Sequence, residues 1–215
     1  MMDTMSKTNE FSAPRGAIPA GTLRFLDGVC NVRIRSDRDM EELFRARFEG
    51  KVPRVDAAEG TVEVSYRRGP GGRVTGGRVR WRRARGEVVL NAMVPWTIQV
   101  HGGVSNLDAD LTGIRLVALE VGSGVSGLDA ALPAPVGDVG VRIGGGVSHL
   151  KLHRPIGVAA SVHVGGGASQ IRFDDLHLGS VGGGIDWNSP GFDDADDRYE
   201  IRIGGGVSDV SLDAR

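Results

Sequence analysis

Val141-Arg142-Ile143-Gly144-Gly145-Gly146-Val147-Ser148-His149-Leu150-Lys151-Leu152 decides how this chain is read. The order is apolar-x-apolar, a glycine corner, a small apolar residue, Ser, any residue, then apolar-x-apolar again. The phrase returns as IQVHGGVSNLDA from Ile98, LEVGSGVSGLDA from Leu119, VHVGGGASQIRF from Val162 and IRIGGGVSDVSL from Ile201. The last glycine of each corner sets the period: Gly103 to Gly124 is 21 residues, Gly124 to Gly146 is 22, and Gly146 to Gly167 is 21. Gly167 to Gly206 is 39, near two periods, and the weaker copy from Ser180 to Trp187 fills the gap. A period of about 20 residues marks a solenoid in which each repeat is one structural turn. Apolar residues alternate with polar ones on both sides of the corner, which is the period of a strand.

Aligned copies give columns. Ile98, Leu119, Val141, Val162 and Ile201 form one, and Val100, Val121, Ile143, Val164 and Ile203 the next. Beyond the corner stand Val104, Val125, Val147, Ala168 and Val207, then Leu107, Leu128, Leu150, Ile171 and Val210. These columns can point inward while their neighbours point out. Turns stacked about 4.8 Å apart would pair each backbone with the next, as in a parallel sheet. The glycines suit sharp corners, where φ > 0 is expected without a Cβ clash. The expected fold is all-β: a single-stranded parallel β-helix solenoid with one short N-terminal helix. A left-handed hexapeptide helix would show a stricter short repeat, so the expected hand is right.

Outward from this stretch, residues 1–21 are polar, contain Pro14 and Pro19, and read as a disordered tail before a β-helix domain over 22–215. The phrase begins early, as Leu26-Asp27-Gly28-Val29-Cys30-Asn31-Val32-Arg33-Ile34, with Cys30 where the other copies carry Ser105, Ser126, Ser148, Ser169 and Ser208. Nothing nearby marks a base for a thiolate nucleophile, so Cys30 reads as a small corner residue. Ser36 can cap a helix over 37–48, in which Met40, Leu43, Phe44 and Phe48 recur at helical spacing. Val52 to Tyr66 reads as two strands around Ala58-Glu59-Gly60, and regular turns resume at about 87.

The segment 67–85 holds Arg67, Arg68, Arg73, Arg78, Arg80, Arg82, Arg83 and Arg85 among glycines and a single Trp81. Arg78, Arg80, Arg82 and Arg83 are the candidate anion-binding residues, for nucleic acid or another anionic surface. One aromatic is thin for a stacking platform, and a solvated loop is the favoured reading. The acidic run Asp193-Asp194-Ala195-Asp196-Asp197 lacks the spacing and closing Glu of a calcium loop and reads as a surface bulge. His149 and His163 align with variable outward residues, which argues for a solvated face over a zinc site. Asp108, Asp129, Lys151 and Arg172 share an outward column, so two carboxylates adjoin there, but no general acid stands beside them. No catalytic residue, cofactor or metal is expected.

The chain has 215 residues and a formal net charge of −1, too near neutral for bulk nucleic-acid binding. One cysteine excludes an internal disulfide, and no run of about 20 apolar residues or signal-peptide core occurs. A cytoplasmic location is expected.

The strand-GGGVS-strand phrase, MEELFRARFEG near the start and the closing SPGFDDADDRYEIRIGGGVS together resemble a bacterial family of toastrack or adhesin-like β-helical domains. The family is similar to the C-terminal domain of LiaF-type envelope-stress proteins. The resemblance spans Leu23 to Asp213. It implies a right-handed β-helix, often tethered to membrane helices, with a signalling or interaction role and no catalytic residues. The leading expectation is a non-enzymatic structural or interaction module with a protein partner. Its rivals are an anion-binding adaptor acting through 67–85 and a carbohydrate-active β-helix enzyme.

Overall fold

A computed structural model describes residues 8–66 and 85–215 of the chain. All regular elements within them are strands. In order they are β1 (Thr8–Pro14), β2 (Gly21–Phe25), β3 (Val29–Asp37), β4 (Glu42–Glu49), β5 (Arg54–Ala58), β6 (Thr61–Ser65) and β7 (Arg85–Asn91). Then come β8 (Pro95–Val100), β9 (Val104–Asp110), β10 (Arg115–Val121), β11 (Val125–Ala131), β12 (Asp138–Ile143) and β13 (Val147–Arg154). The last six are β14 (Ala159–Val164), β15 (Ala168–Phe173), β16 (Leu176–Val181), β17 (Ile185–Asn188), β18 (Arg198–Ile203) and β19 (Val207–Ala214).

Two sheets enclose one apolar core. The first runs β1-β4-β7-β3-β9-β11-β13-β19-β15-β16 and the second β17-β14-β18-β12-β10-β8-β2-β6-β5. Each copy of the repeat phrase contributes one strand to each sheet, the two joined at its glycine corner. The repeat columns stand in register: Leu128 pairs with Leu107 and Leu150, and Leu150 with Val210. Val141, Ile143, Val162, Ile201 and Ile203 are all at most 2% exposed, so the inward columns form the core.

The rungs do not stack in chain order. From β12/β13 the chain skips one level and lays down β14/β15. It then turns back antiparallel through β16 and β17, and fills the vacant level with β18/β19. The weak copy at 180–187 is therefore a cap running the opposite way, not the next turn. The N-terminal end repeats the manoeuvre. The rung β2/β3 lies between β6/β7 and β8/β9, and antiparallel β4 and β1 in one sheet and β5 in the other close that end.

Two other expectations are corrected. Residues 42–49 form β4, not a helix. Phe44, Ala46 and Phe48 alternate inward and are at most 3% exposed, and β1 and β7 satisfy the backbone on both sides. The four-residue step from Phe44 to Phe48 suits either period, and the small Ala46 between them hid the alternation. Thr8–Pro14, within the expected disordered tail, is strand β1. β1 pairs with β4, and Phe11 meets Phe48 edge-on at 6.2 Å. The hairpin at 58–60 is as expected, with φ of 48° at Glu59 and 81° at Gly60.

Positive φ falls elsewhere than the corners. It recurs one residue after the serine, at Asn31 (51°), Asn106 (56°), His149 (56°), Gln170 (53°) and Asp209 (53°), with Gly127 (87°) in the same place. The valine and leucine that flank this pair stand three apart, an odd step that would send them to opposite faces. One left-handed residue, skipped by the ladder, restores the parity, as in a β-bulge. The corner glycines serve close stacking instead. A Cβ on Gly145 would stand 2.7 Å from the backbone nitrogen of Gly124, and one on Gly205 2.7 Å from that of Gly146.

Candidate functional site

Strand alternation sends every second side chain outward, and stacking aligns these into rows that cross the sheets. On the second sheet one row is bonded across five strands. Arg142 Nη1 donates to Glu120 at 3.4 Å, Gln99 Nε2 to Glu120 at 3.0 Å, Arg24 Nε to Gln99 at 3.1 Å and Arg24 Nη1 to Glu63 at 3.0 Å. On the first sheet the corresponding row runs Arg47, Glu87, Arg33, Asp108, Asp129, Lys151, Ser211, Arg172 in ladder register. Arg33 Nε bonds Asp108 at 2.9 Å. Lys151 and Arg172, two strands apart across Ser211, make no ion pair among the described residues. Exposed pairs of this kind contribute no more than about 1 kcal/mol each, so the rows pattern the surface more than they hold the fold.

A groove of about 510 Å³ opens on the first sheet where β4, β7, β3 and β9 adjoin, lined by Arg33, Arg47, Glu49, Arg85, Glu87 and Asp108 among others. The expected carboxylate neighbours Asp108 and Asp129 do pair in register. Both are more than half exposed, and each already has a partner, Arg33 and His153. Asp108 lines the groove, and Asp129 stands against His153.

The ends of β11, β13 and β19 hold a cluster that column reasoning missed. His153 is 8% exposed, unlike His149 and His163, which stand in solvent. Its Nδ1 bonds Asp213 and its Nε2 bonds Asp129 at 3.0 Å, so one imidazole joins three neighbouring strands. Next to it Arg154, 5% exposed, donates to Asp174 just beyond β15 and to Val158 O at 2.5 Å. His153 thus ties β13 to the inserted β19, and Arg154 reaches past β19 to the turn after β15. Burial pushes the Asp213 carboxyl up, but the bonds and charges of His153 and Arg215 outweigh it and hold the group below the usual carboxylate range. The only sequence signal was a column change, since the ladder sets Asp110, Ala131, His153 and Asp213 side by side.

Arg78, Arg80, Arg82 and Arg83, the candidate anion-binding residues, lie outside the described residues, as do Arg67, Arg68 and Arg73; Arg85 opens β7 at the groove. Cys30 pairs in the ladder with Ser105, which continues to Ser126, Ser148 and Ser208, so it takes the serine position of its rung. The 189–197 loop is pinned by Arg198, which lies 4.8 Å over the Phe192 ring and donates to Ala195 O at 3.3 Å, and by Asp197, which accepts from Gly137 N at 2.6 Å. No group of three or more His, Cys, Asp or Glu among the described residues is placed to hold a metal ion.

The geometry defines a class: a capped two-sheet β-solenoid with patterned, open faces. The chain belongs to the toast_rack family, for residues 22–153 match the N-terminal domain of toast_rack, DUF2154. That match begins in β2 and ends at His153 in β13, before the out-of-order rungs of the C-terminal end. Among curated proteins, none matches the sequence. Among solved structures the fold is shared with a candidate cell adhesion protein of Clostridium sporogenes, 20% identical, with a TM-score of 0.76 over 98% of this chain and 100% of that one. A candidate adhesin of Bacteroides fragilis, 8% identical, aligns over 99% and 98% at a TM-score of 0.39, too loose a likeness to inform this chain. No helix among the described residues is long and apolar enough to cross a membrane.

Proposed function

We propose that this chain is a non-enzymatic interaction module whose sheet faces bind another protein. One observation carries the reading: on the second sheet charged and polar side chains bond one to the next across five strands, from Arg142 through Glu120, Gln99 and Arg24 to Glu63. Such rows fix orientation and partner choice more than raw affinity. Family membership supports the reading, and so does the cell-adhesion description of the structural neighbour, although fold likeness is only associational support. A role in bacterial envelope-stress signalling, a right-handed winding and a cytoplasmic location belong to the same proposal.

The test is capture of partners on the immobilised chain, identified by mass spectrometry. One variant carries Arg24→Ala, Arg142→Ala and Arg202→Ala on the second sheet, the other Arg33→Ala, Lys151→Ala and Arg172→Ala on the first. A partner lost with one face and kept with the other is expected; partners indifferent to both variants refute the reading.

A second reading, anion binding, is favoured by Lys151 and Arg172, which flank Ser211 two strands apart on one face and lack an ion-pair partner among the described residues. It predicts binding to an anionic polymer that weakens steeply with salt and is lost when both are changed to Gln.

A further inference from the structure

We propose that the C-terminal end of the stack is a self-association surface, where a second copy of this chain continues both sheets across a two-fold axis. The site is the end of the stack and not its faces, so it stands apart from the partner binding proposed above.

Among the described residues the ladder pairs β16 only with β15, and β17 only with β14. Both outer edges therefore present backbone N–H and C=O groups along one end of the molecule, an open template for further strands. The opposite end is guarded. β1 carries Glu10 and finishes in Pro14, and β5 carries Arg54 and Asp56, bonded to each other at 2.6 Å. Charges and proline of this kind discourage edge pairing. β16, Leu176-His177-Leu178-Gly179-Ser180-Val181, has no Asp, Glu, Lys, Arg or Pro.

The core is also incompletely closed here. Leu176, Leu178, Val181 and Trp187 are partly buried against its last layer, with Trp187 at 5.5 Å from Phe173. A covering partner would complete their burial.

The chemistry of the end selects the occupant. Two adjacent edges, one in each sheet and joined at a single corner, need two strands held in the same relation. A lone extended peptide satisfies one edge, whereas the same end of another copy satisfies both. A strand paired with itself across a two-fold is antiparallel, and such an interface is closed and isologous. Charge permits it. Asp186 is the one Asp, Glu, Lys or Arg on β16 or β17. Opposed residues in an antiparallel pair share a face, so the axis falls on a residue. An axis at Trp187 sets Asp186 against Asn188 of the other copy and brings the two Trp187 rings together, with no like charges opposed.

The test is sedimentation velocity from about 1 to 500 µM, the range of a modest interface. The comparison is the double variant Gly179→Lys, Ser180→Lys. A Cβ at Gly179 meets nothing within 4 Å and Ser180 is exposed, so the variant should fold, with a thermal melt as the check. The chain is expected to pass from monomer to dimer as concentration rises, and the variant to stay monomeric at an unchanged melting temperature. Hydrogen exchange on the parent gives a readout that needs no variant: amides of 176–188 should slow as concentration rises. A parent monomeric throughout, a dimer that survives the two lysines, or concentration-dependent protection confined to other strands overturns the proposal.

Discussion

From β8 to β13 the chain lays down its rungs in the order in which it is written, whereas from β14 it skips a level, turns back and fills the gap last. The two regions use the same phrase. Val147 N donates to Gly206 O at 3.0 Å just as Val125 N donates to Gly146 O at 3.0 Å, although the first bond spans 59 residues and the second 21. A corner offers the same donors and acceptors to any other corner, so the phrase specifies a rung and leaves its level open. In the middle, short connections decide the level. At the end it is secured by contacts outside the phrase, the bond of His153 to Asp213 on β19 and that of Arg154 past β19 to Asp174. Glycine corners show the same contrast. Gly145 is pressed against the next backbone, while Gly182 and Gly183 in the cap have nothing within 4 Å.

The largest expected effect is at the arginine that reaches past β19. Arg154→Leu leaves Asp174 without its cation and should cost about 4 kcal/mol, as in other broken buried pairs. Arg142→Leu, in the exposed mid-stack row, should cost under about 1 kcal/mol. Urea denaturation measures both, and equal losses would remove the special standing of the C-terminal end.

Next comes the corner pair. Gly145→Ala forces a Cβ against backbone and should cost about 3 kcal/mol, whereas Gly183→Ala should fall within about 0.5 kcal/mol of the parent. Thermal melts decide it. A tolerated alanine at 145 would mean that stacking does not require glycine there.

The smallest effect sharpens the comparison through pH. The Asp213 carboxyl is held below the usual carboxylate range in the folded chain, so it adds stability above the unfolded-state pKa of about 3.9. That contribution disappears as pH falls through the lower folded value. Asp213→Asn should therefore melt below the parent at about pH 6, and the gap should close towards about pH 3. A gap that is constant across this range would mean that the carboxylate charge does not help to hold β19.

How much was legible follows from what a rung needs locally. Strand period, rung length, the inward columns, the serine position shared by Cys30 and the 58–60 hairpin were all written in the sequence. Each depends on residues within about one turn of one another. β1 and β4 were not legible, because a few apolar residues at ambiguous spacing become strands only when β7 pairs with β4 and β4 in turn with β1. The left-handed residue after each serine was hidden by the variety of side chains that take it, from Asn106 to Gln170. His153 lies past the repeat columns, and only the stacking of three strands brings its imidazole between the carboxylates of Asp129 and Asp213. The stacking order was decided by the tertiary structure alone, because parallel backbone ladders and repeated apolar columns make every rung an acceptable neighbour for every other. Only the caps, the close-packed corners and the buried charges at the strand ends tell the levels apart.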